Sequence, residues 1–105
     1  MRRYRVSFRP LAEADLVGLY DHIAAEASEE VAGGYIDRIE QACLALATFP
    51  KRGTARDDIM PGLRTIGFER RATIAFLVRR SEVTIVRIFY GGQDYGLRLR
   101  GVGEA

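Results

Sequence analysis

The sequence has little of what metal sites, disulfides and nucleophilic catalysis require. Cys43 is its only cysteine and His22 its only histidine among 105 residues. An internal disulfide is therefore excluded, and a metal site built on His and Cys clusters is not expected. Cys43 falls in an apolar helical pattern, which predicts a buried, inert thiol. His22 falls among acidic residues and is predicted to be a solvated side chain, so we expect neither a metal nor a cofactor.

Long hydrophobic runs are also missing. No apolar stretch approaches the ~18 residues that a membrane helix needs. The basic start of the chain lacks the apolar segment that follows in a signal peptide. We therefore expect a cytoplasmic protein with no membrane contact. The length of 105 residues fits a single domain spanning residues 1–105, with a polar tail from about residue 95 that we expect to be flexible.

Charge is divided unevenly along the chain. Residues 1–50 hold 5 basic and 8 acidic side chains, whereas residues 51–105 hold 11 basic and 6 acidic ones. All but one of the basic residues are arginine. The acidic first half and basic second half indicate an anionic partner on one side of the molecule.

Two helices are predicted in the first half. Pro10 suits the first position of a helix, and an apolar stripe then continues to about Ala27. Ser28 is a favourable N-cap for a second helix that ends at Phe49-Pro50. With almost no linker between them, the two helices are predicted to form an antiparallel hairpin.

The remaining regular segments are strands. Residues 4–8 predict a short first strand, and residues 64–68, 72–79 and 83–90 predict three strands joined by short turns. Residues 50–63 form the one long predicted loop. The fold class is therefore α+β in the order β-α-α-β-β-β, with the N-terminal strand and the helical hairpin packed on an antiparallel three-strand meander.

Arg87 interrupts an otherwise apolar strand. Strict alternation places it on one face with Val83, Ile85 and Phe89, opposite Thr84, Val86, Ile88 and Tyr90. Because an unpaired buried charge is costly, Arg87 must either reach an acidic partner, such as Asp94 or Glu69, or open onto a cleft.

Other arginines allow two interpretations. Arg64 is either a solvent-facing edge residue or part of a site. Basic residues at the strand ends and in the long loop are either solvated turn charges or a basic rim for phosphate or an acidic protein surface. These residues are Lys51, Arg52, Arg56, Arg70, Arg71, Arg79 and Arg80.

The conjunction of segments resembles the RelE/ParE toxin family over nearly the whole chain. A short strand leads into a helix beginning at residues 11–16, and a second helix carries residues 35–39 and closes with residues 46–50. Arg52-Gly53 and Gly62-Leu63-Arg64 follow, then an apolar strand and the stretch Val86-Arg87-Ile88-Phe89-Tyr90-Gly91-Gly92-Gln93-Asp94.

Within that family the sequence looks more like the ParE branch. The resemblance implies a toxin of a type II toxin–antitoxin pair that inhibits DNA gyrase by protein–protein contact, without catalysis, and is neutralised by a ParD-like antitoxin. It implies a functional face of Arg64, Arg87, Tyr90 and Asp94. For the antitoxin we predict an apolar patch bordered by basic residues, namely Leu16, Leu19, Tyr20, Arg71 and Arg79.

Two alternatives remain open at this point. The RelE-like branch implies a ribosome-dependent, metal-independent endoribonuclease of messenger RNA, in which Arg64 and Arg87 hold phosphate and Tyr90 transfers a proton. Many relatives carry histidine where this chain has Tyr90, and tyrosine has a reference pKa near 10. The third alternative is a binding module that has lost its toxicity.

Overall fold

The computed structural model describes residues 3–91. Asp94 and the tail from about residue 95 lie outside these residues. The helices are α1 (Pro10–Glu26) and α2 (Glu29–Leu44), followed by a single 3-10 turn over Ala45–Ala47. The strands are β1 (Arg5–Phe8), β2 (Thr54–Ala55), β3 (Leu63–Phe68), β4 (Ala72–Arg79) and β5 (Glu82–Tyr90).

The two helices begin where their sequence signals predict. Pro10 is the first residue of α1, where its missing N–H removes no hydrogen bond. The Ser28 hydroxyl accepts a hydrogen bond from the Val31 N–H at 3.1 Å and so caps α2. None of the helices within residues 3–91 is both long enough and apolar enough to cross a membrane.

The α+β class and the predicted helical hairpin are confirmed, and the sheet is larger than the predicted meander. Its strand order is β1-β5-β4-β3-β2. β3, β4 and β5 pair antiparallel as predicted, while β1 pairs parallel with β5 and β2 adds a fifth strand beside β3. The first strand is therefore a full member of the sheet, and it makes β5 an interior strand.

A β-bulge in β5 changes which side chains share a face. Ala75 of β4 pairs with Arg87 and Phe76 pairs with Ile85, so Val86 is the additional residue. The predicted alternation is therefore wrong beyond Ile85. The helix side of β5 carries Val83, Ile85, Ile88 and Tyr90, and the opposite side carries Val86 and Phe89.

Both faces of the sheet hold buried apolar side chains. The larger core lies between the sheet and the helices and includes Ile39, Phe76 and Ile85, all fully buried. The second core contains Leu63, Ala75, Leu77, Val86 and Phe89, with Ile59 and Met60 packed against it. Those two residues belong to the predicted long loop, which includes β2 and an ordered turn in which the Asp57 carboxylate accepts the Gly62 N–H at 2.9 Å.

Candidate functional site

Arg87 pairs with an acidic residue on α1. Its Nε donates to Asp15 Oδ2 at 2.8 Å and its Nη2 donates to Asp15 Oδ1 at 3.0 Å. The two side chains are 19% and 15% exposed. This bidentate hydrogen bonding raises the pKa of Arg87, against the opposing effect of desolvation. Glu69, one of the two expected partners, is wrong for this contact, since it pairs with Arg38 at 2.8 Å. Asp94, the other, lies outside the described residues.

The same carboxylate also completes the edge of β5. β1 pairs with β5 only as far as Ile85, so beyond that point no strand within residues 3–91 pairs with β5 on this side. Asp15 Oδ2 accepts the Ile88 N–H at 2.8 Å. One half-buried carboxylate thus balances a charge and satisfies a backbone donor at the point where α1 covers the sheet edge. Asp15 was not predicted as a site residue, because nothing local in the sequence distinguishes it from the other acidic residues of α1.

Arg64 is part of the sheet and is half-buried. It lies across from Phe76 on β4 and shares the helix side of β3 with Ile66 and Phe68. Its Nε donates to the Arg52 backbone carbonyl at 3.0 Å. The interpretation of Arg64 as a solvent-facing edge residue is therefore wrong, because the side chain ties β3 to the segment before β2.

Tyr90 belongs to an aromatic cluster at the end of β5. Its ring lies edge-on to His22 with centroids 5.7 Å apart and edge-on to Tyr35 at 6.0 Å. A hydrogen bond from Arg71 to Tyr90 raises the pKa of Arg71. His22 is exposed as predicted, and it lies 3.4 Å from Glu26. The Tyr35 hydroxyl is buried and finds no hydrogen-bond partner within residues 3–91.

The described residues that were predicted to form one functional face do not come together in the structure. Arg87 lies across from Ala75, whose side chain faces away from the helices, but its guanidinium is bound by Asp15 of α1 at the edge of β5. Arg64 and Tyr90 lie on the helix side. Arg64 and Tyr90 are across from Phe76 and Ala72, which lie four positions apart on β4, or about 13 Å. Asp94, the fourth predicted member, lies outside the described residues. The three arginine and tyrosine side chains therefore do not converge on one phosphate-sized site.

An apolar groove opens between the two helices. Its volume is about 500 Å³, and it is lined by Phe8, Glu13, Leu16, Val17, Tyr20, Ile36 and Glu40. Leu16 and Tyr20, both predicted to contact an antitoxin, are half-buried in its wall. Leu19 is only 5% exposed and packs in the core, so its predicted place on that surface is wrong.

The two basic residues predicted to border this patch lie elsewhere. Arg71 precedes β4 and Arg79 ends it, so the two lie about 26 Å apart along the strand. The charged residues that do line the groove are acidic, namely Glu13 and Glu40. The predicted basic border is thus replaced by an acidic one, because the acidic residues of α1 and α2 flank the apolar stripe.

Thiol and metal chemistry find no support in residues 3–91. Cys43 is fully buried as predicted, and burial raises the pKa of its thiol to about 12. Within the described part of the chain there is no group of three or more His, Cys, Asp or Glu side chains placed to hold a metal ion. What the described residues offer is an apolar groove and exposed arginines, which suit macromolecular contacts.

Comparison with known proteins decides the family. The model of the ParE toxin of type II toxin–antitoxin systems matches residues 6–95, which is most of the chain. The chain belongs to the ParE toxin family. A curated ParE relative, Toxin ParE3 from Caulobacter vibrioides, is 29% identical over 91 residues, covering 87% of this chain and 89% of that protein.

Solved structures agree with the ParE assignment. The chromosomal ParDE toxin–antitoxin system from P. aeruginosa contains a chain that is 28% identical, with a TM-score of 0.73 and coverage of 85% of this chain and 97% of that one. A chain of the toxin–antitoxin complex RelBE2 from Mycobacterium tuberculosis has a TM-score of 0.64 at 17% identity, covering 89% of this chain and 97% of that one. At 17% identity, the similarity to the RelBE2 chain shows a shared fold and nothing further. The chain is thus a ParE-family toxin of a type II system with the fold that ParE and RelE toxins share.

Proposed function

We propose that this ParE-family toxin inhibits DNA gyrase by protein–protein contact and is neutralised by a ParD-like antitoxin in the cytoplasm. The observation that carries the non-catalytic part is that Asp15 of α1 holds the Arg87 guanidinium at the edge of β5, while Arg64 and Tyr90 lie about 13 Å apart along the sheet. Cleavage of RNA without a metal needs cations and a proton-transfer group around one phosphate. Arg87 is instead held by Asp15, and Tyr90 by Arg71 and two aromatic rings.

The groove between α1 and α2 is the proposed antitoxin site. Its wall combines apolar side chains with two carboxylates, Glu13 and Glu40. Val17 lines it and remains 63% exposed, and Leu11 on the same helix is 58% exposed. Such a surface suits an amphipathic segment that folds on binding, with apolar residues in the groove and a basic residue beside the carboxylates. The ParDE system named among the similar structures supports an antitoxin partner of this kind.

The test of the target uses purified full-length toxin with gyrase and relaxed plasmid. We expect loss of supercoiling and accumulation of gyrase-linked DNA breaks. In cells, induction without antitoxin is expected to give an SOS response and filamentation while messenger RNA stays intact. Rapid translation arrest with cleaved messages and intact DNA would instead establish the ribosome-dependent nuclease, and continued growth with soluble toxin present would establish an inactive binding module.

The variant Tyr90→Phe distinguishes gyrase inhibition from cleavage of messenger RNA. Tyr90→Phe keeps the aromatic packing against His22 and Tyr35 and removes only the hydroxyl. We expect Tyr90→Phe to retain gyrase inhibition within about twofold, because a contact surface needs no proton donor. A nuclease that uses the Tyr90 hydroxyl would lose on the order of 10²-fold or more in cleavage rate.

A further inference from the structure

Four exposed arginines meet at the end of the sheet where β1 begins and β4 turns into β5. We call Arg3, Arg5, Arg79 and Arg80 the arginine patch. Arg5 and Arg79 pair with Glu82 from either side, which places their backbones about 10 Å apart across β5. All four are exposed, and within residues 3–91 none of them makes an ion pair.

The two patch members that belong to strands, Arg5 and Arg79, lie on the side of the sheet away from the helices. Val6, Val78 and Val83 pack into the helix-side core, so the neighbouring positions Arg5, Arg79 and Glu82 face the other way. The antitoxin groove lies between the helices, on the opposite side of the sheet. A ligand on the arginine patch therefore leaves the proposed antitoxin groove open.

Arg80 is held in an unfavourable backbone conformation at the tip of the β4–β5 turn. Its φ is +53°, in the left-handed region that glycine or asparagine ordinarily occupies. The sequence thus keeps a long cationic side chain at a turn position where glycine would be more stable. Glu69 and Arg70 of the β3–β4 turn adopt the same conformation, so the backbone strain does not by itself mark a site; at the β4–β5 turn it leaves an exposed guanidinium next to Arg79.

We propose that the arginine patch binds the phosphate backbone of duplex DNA without reading its sequence. Guanidinium groups match phosphate oxygens bidentately, and backbone binding requires little beyond such charges. A protein partner would be anchored by apolar side chains, and single-stranded RNA by aromatic stacking. None of the large apolar side chains exposed within residues 3–91 belongs to the patch; they are Leu11, Val17, Val31, Leu44 and Phe49. Glu82, which lies between Arg5 and Arg79, is acidic. Its negative charge reduces the attraction of the patch for phosphate but does not outweigh four arginines.

The proposal is tested by fluorescence anisotropy of the full-length chain with a labelled 20-base-pair duplex at several salt concentrations. Neutralising three or four phosphates predicts a slope of log K against log salt of about −3. Arg80→Gly should weaken binding several-fold and reduce that slope by about 1. Glu82→Gln should strengthen binding, because it removes the only carboxylate between Arg5 and Arg79.

Arg70→Gly is the matched control. Arg70 is an exposed arginine with a φ of +61° in the β3–β4 turn, at the opposite end of β4 from Arg80. Both variants lose one charge and relieve the same strain, so both should fold, as circular dichroism will verify. We expect Arg70→Gly to bind DNA within twofold of the parent chain.

Equal weakening by the two variants would overturn the proposal, since only net charge would then matter. Absence of DNA binding together with weaker antitoxin binding by Arg80→Gly would also overturn it, and would assign the patch to an acidic protein. Gyrase inhibition is measured separately on the same variants. Loss of DNA binding with intact gyrase inhibition would support the arginine patch and leave the proposed target unaffected.

Discussion

The Asp15 carboxylate joins α1 to β5 by three hydrogen bonds, two from the Arg87 guanidinium and one from the Ile88 N–H, across 72 and 73 positions of sequence. It serves a strand edge that β1 is too short to cover. The arginine that sequence analysis assigned to a functional face is therefore first of all a structural residue. Any assay of Arg87 variants must separate lost stability from lost contact.

Asp15→Asn is expected to lower the free energy of unfolding by about 2–4 kcal/mol, because it leaves the Arg87 guanidinium half-buried without a counter-charge. Urea denaturation followed by circular dichroism measures the change. Asp21→Asn, on an exposed position of the same helix, is the control and should stay within about 0.5 kcal/mol. Similar losses in both variants would mean that helix charge, and not the contact with β5, determines the result.

Val17→Gln is expected to weaken antitoxin binding tenfold or more without unfolding the toxin. Val17 is 63% exposed and lines the groove, so an amide there would be buried against apolar side chains of the partner. Isothermal titration of toxin with antitoxin measures the effect. Val31→Gln makes the same substitution at a position 54% exposed on α2 outside the groove and should bind normally. Normal binding by Val17→Gln would place the antitoxin on another surface.

Tyr35→Phe is expected to leave stability unchanged or raise it by up to about 1 kcal/mol, because it removes a buried hydroxyl that has no partner within residues 3–91. Its edge-on contacts with Phe68 and Tyr90 are kept. Thermal and urea unfolding give the measurement. Tyr90→Phe, which removes the hydrogen bond with Arg71, should not stabilise the protein. A loss of more than about 1 kcal/mol for Tyr35→Phe would mean that its hydroxyl is hydrogen-bonded.

Cys43 is expected to resist thiol reagents at pH 8 until the chain unfolds. Burial raises the pKa of its thiol from 9.0 to about 12, so the folded state disfavours the reactive thiolate. Labelling with a chromogenic disulfide reagent, with and without urea, measures this. Val31→Cys in a Cys43→Ala background is the exposed control and should react at once. Fast labelling of native Cys43 would show that α2 opens locally.

The same pKa shift predicts a dependence of stability on pH. Because the folded pKa lies above the unfolded one, the stabilising contribution of the neutral thiol is complete below pH 9 and is lost as pH rises towards 12. Over that window the parent chain should lose up to about 1.4 kcal/mol per pH unit more than Cys43→Ala does. If the free energy of unfolding changed with pH equally in the parent chain and in Cys43→Ala, the raised pKa of Cys43 would be contradicted.

Periodicity predicted the helices and the antiparallel strands, because Pro10, Ser28 and the apolar stripes are local signals. The site was harder to predict. The bulge at Val86 cannot be recognised from the sequence, because it lies within a run of apolar residues. It nevertheless moves every later side chain of β5 to the face opposite the predicted one. The role of Asp15 depends on where β1 stops pairing with β5, and the acidic border of the groove depends on the packing of α1 against α2. Both are set by tertiary contacts that no single segment encodes.

The parallel pairing of β1 with β5 has a consequence for synthesis of the toxin. β1 is synthesised before every other described strand, but the strand beside it is the last of those strands in the sequence. The five-stranded sheet can be completed only after β5 has been synthesised. Pairing between β1 and β5 joins residues far apart in the sequence, and such contacts form slowly. A chain that terminates before residue 82 lacks both β5, which joins β1 to β4, and Arg87, the partner of Asp15. The chain therefore cannot reach its complete fold until β5 has been synthesised, and any contact that needs the whole sheet forms only after that point.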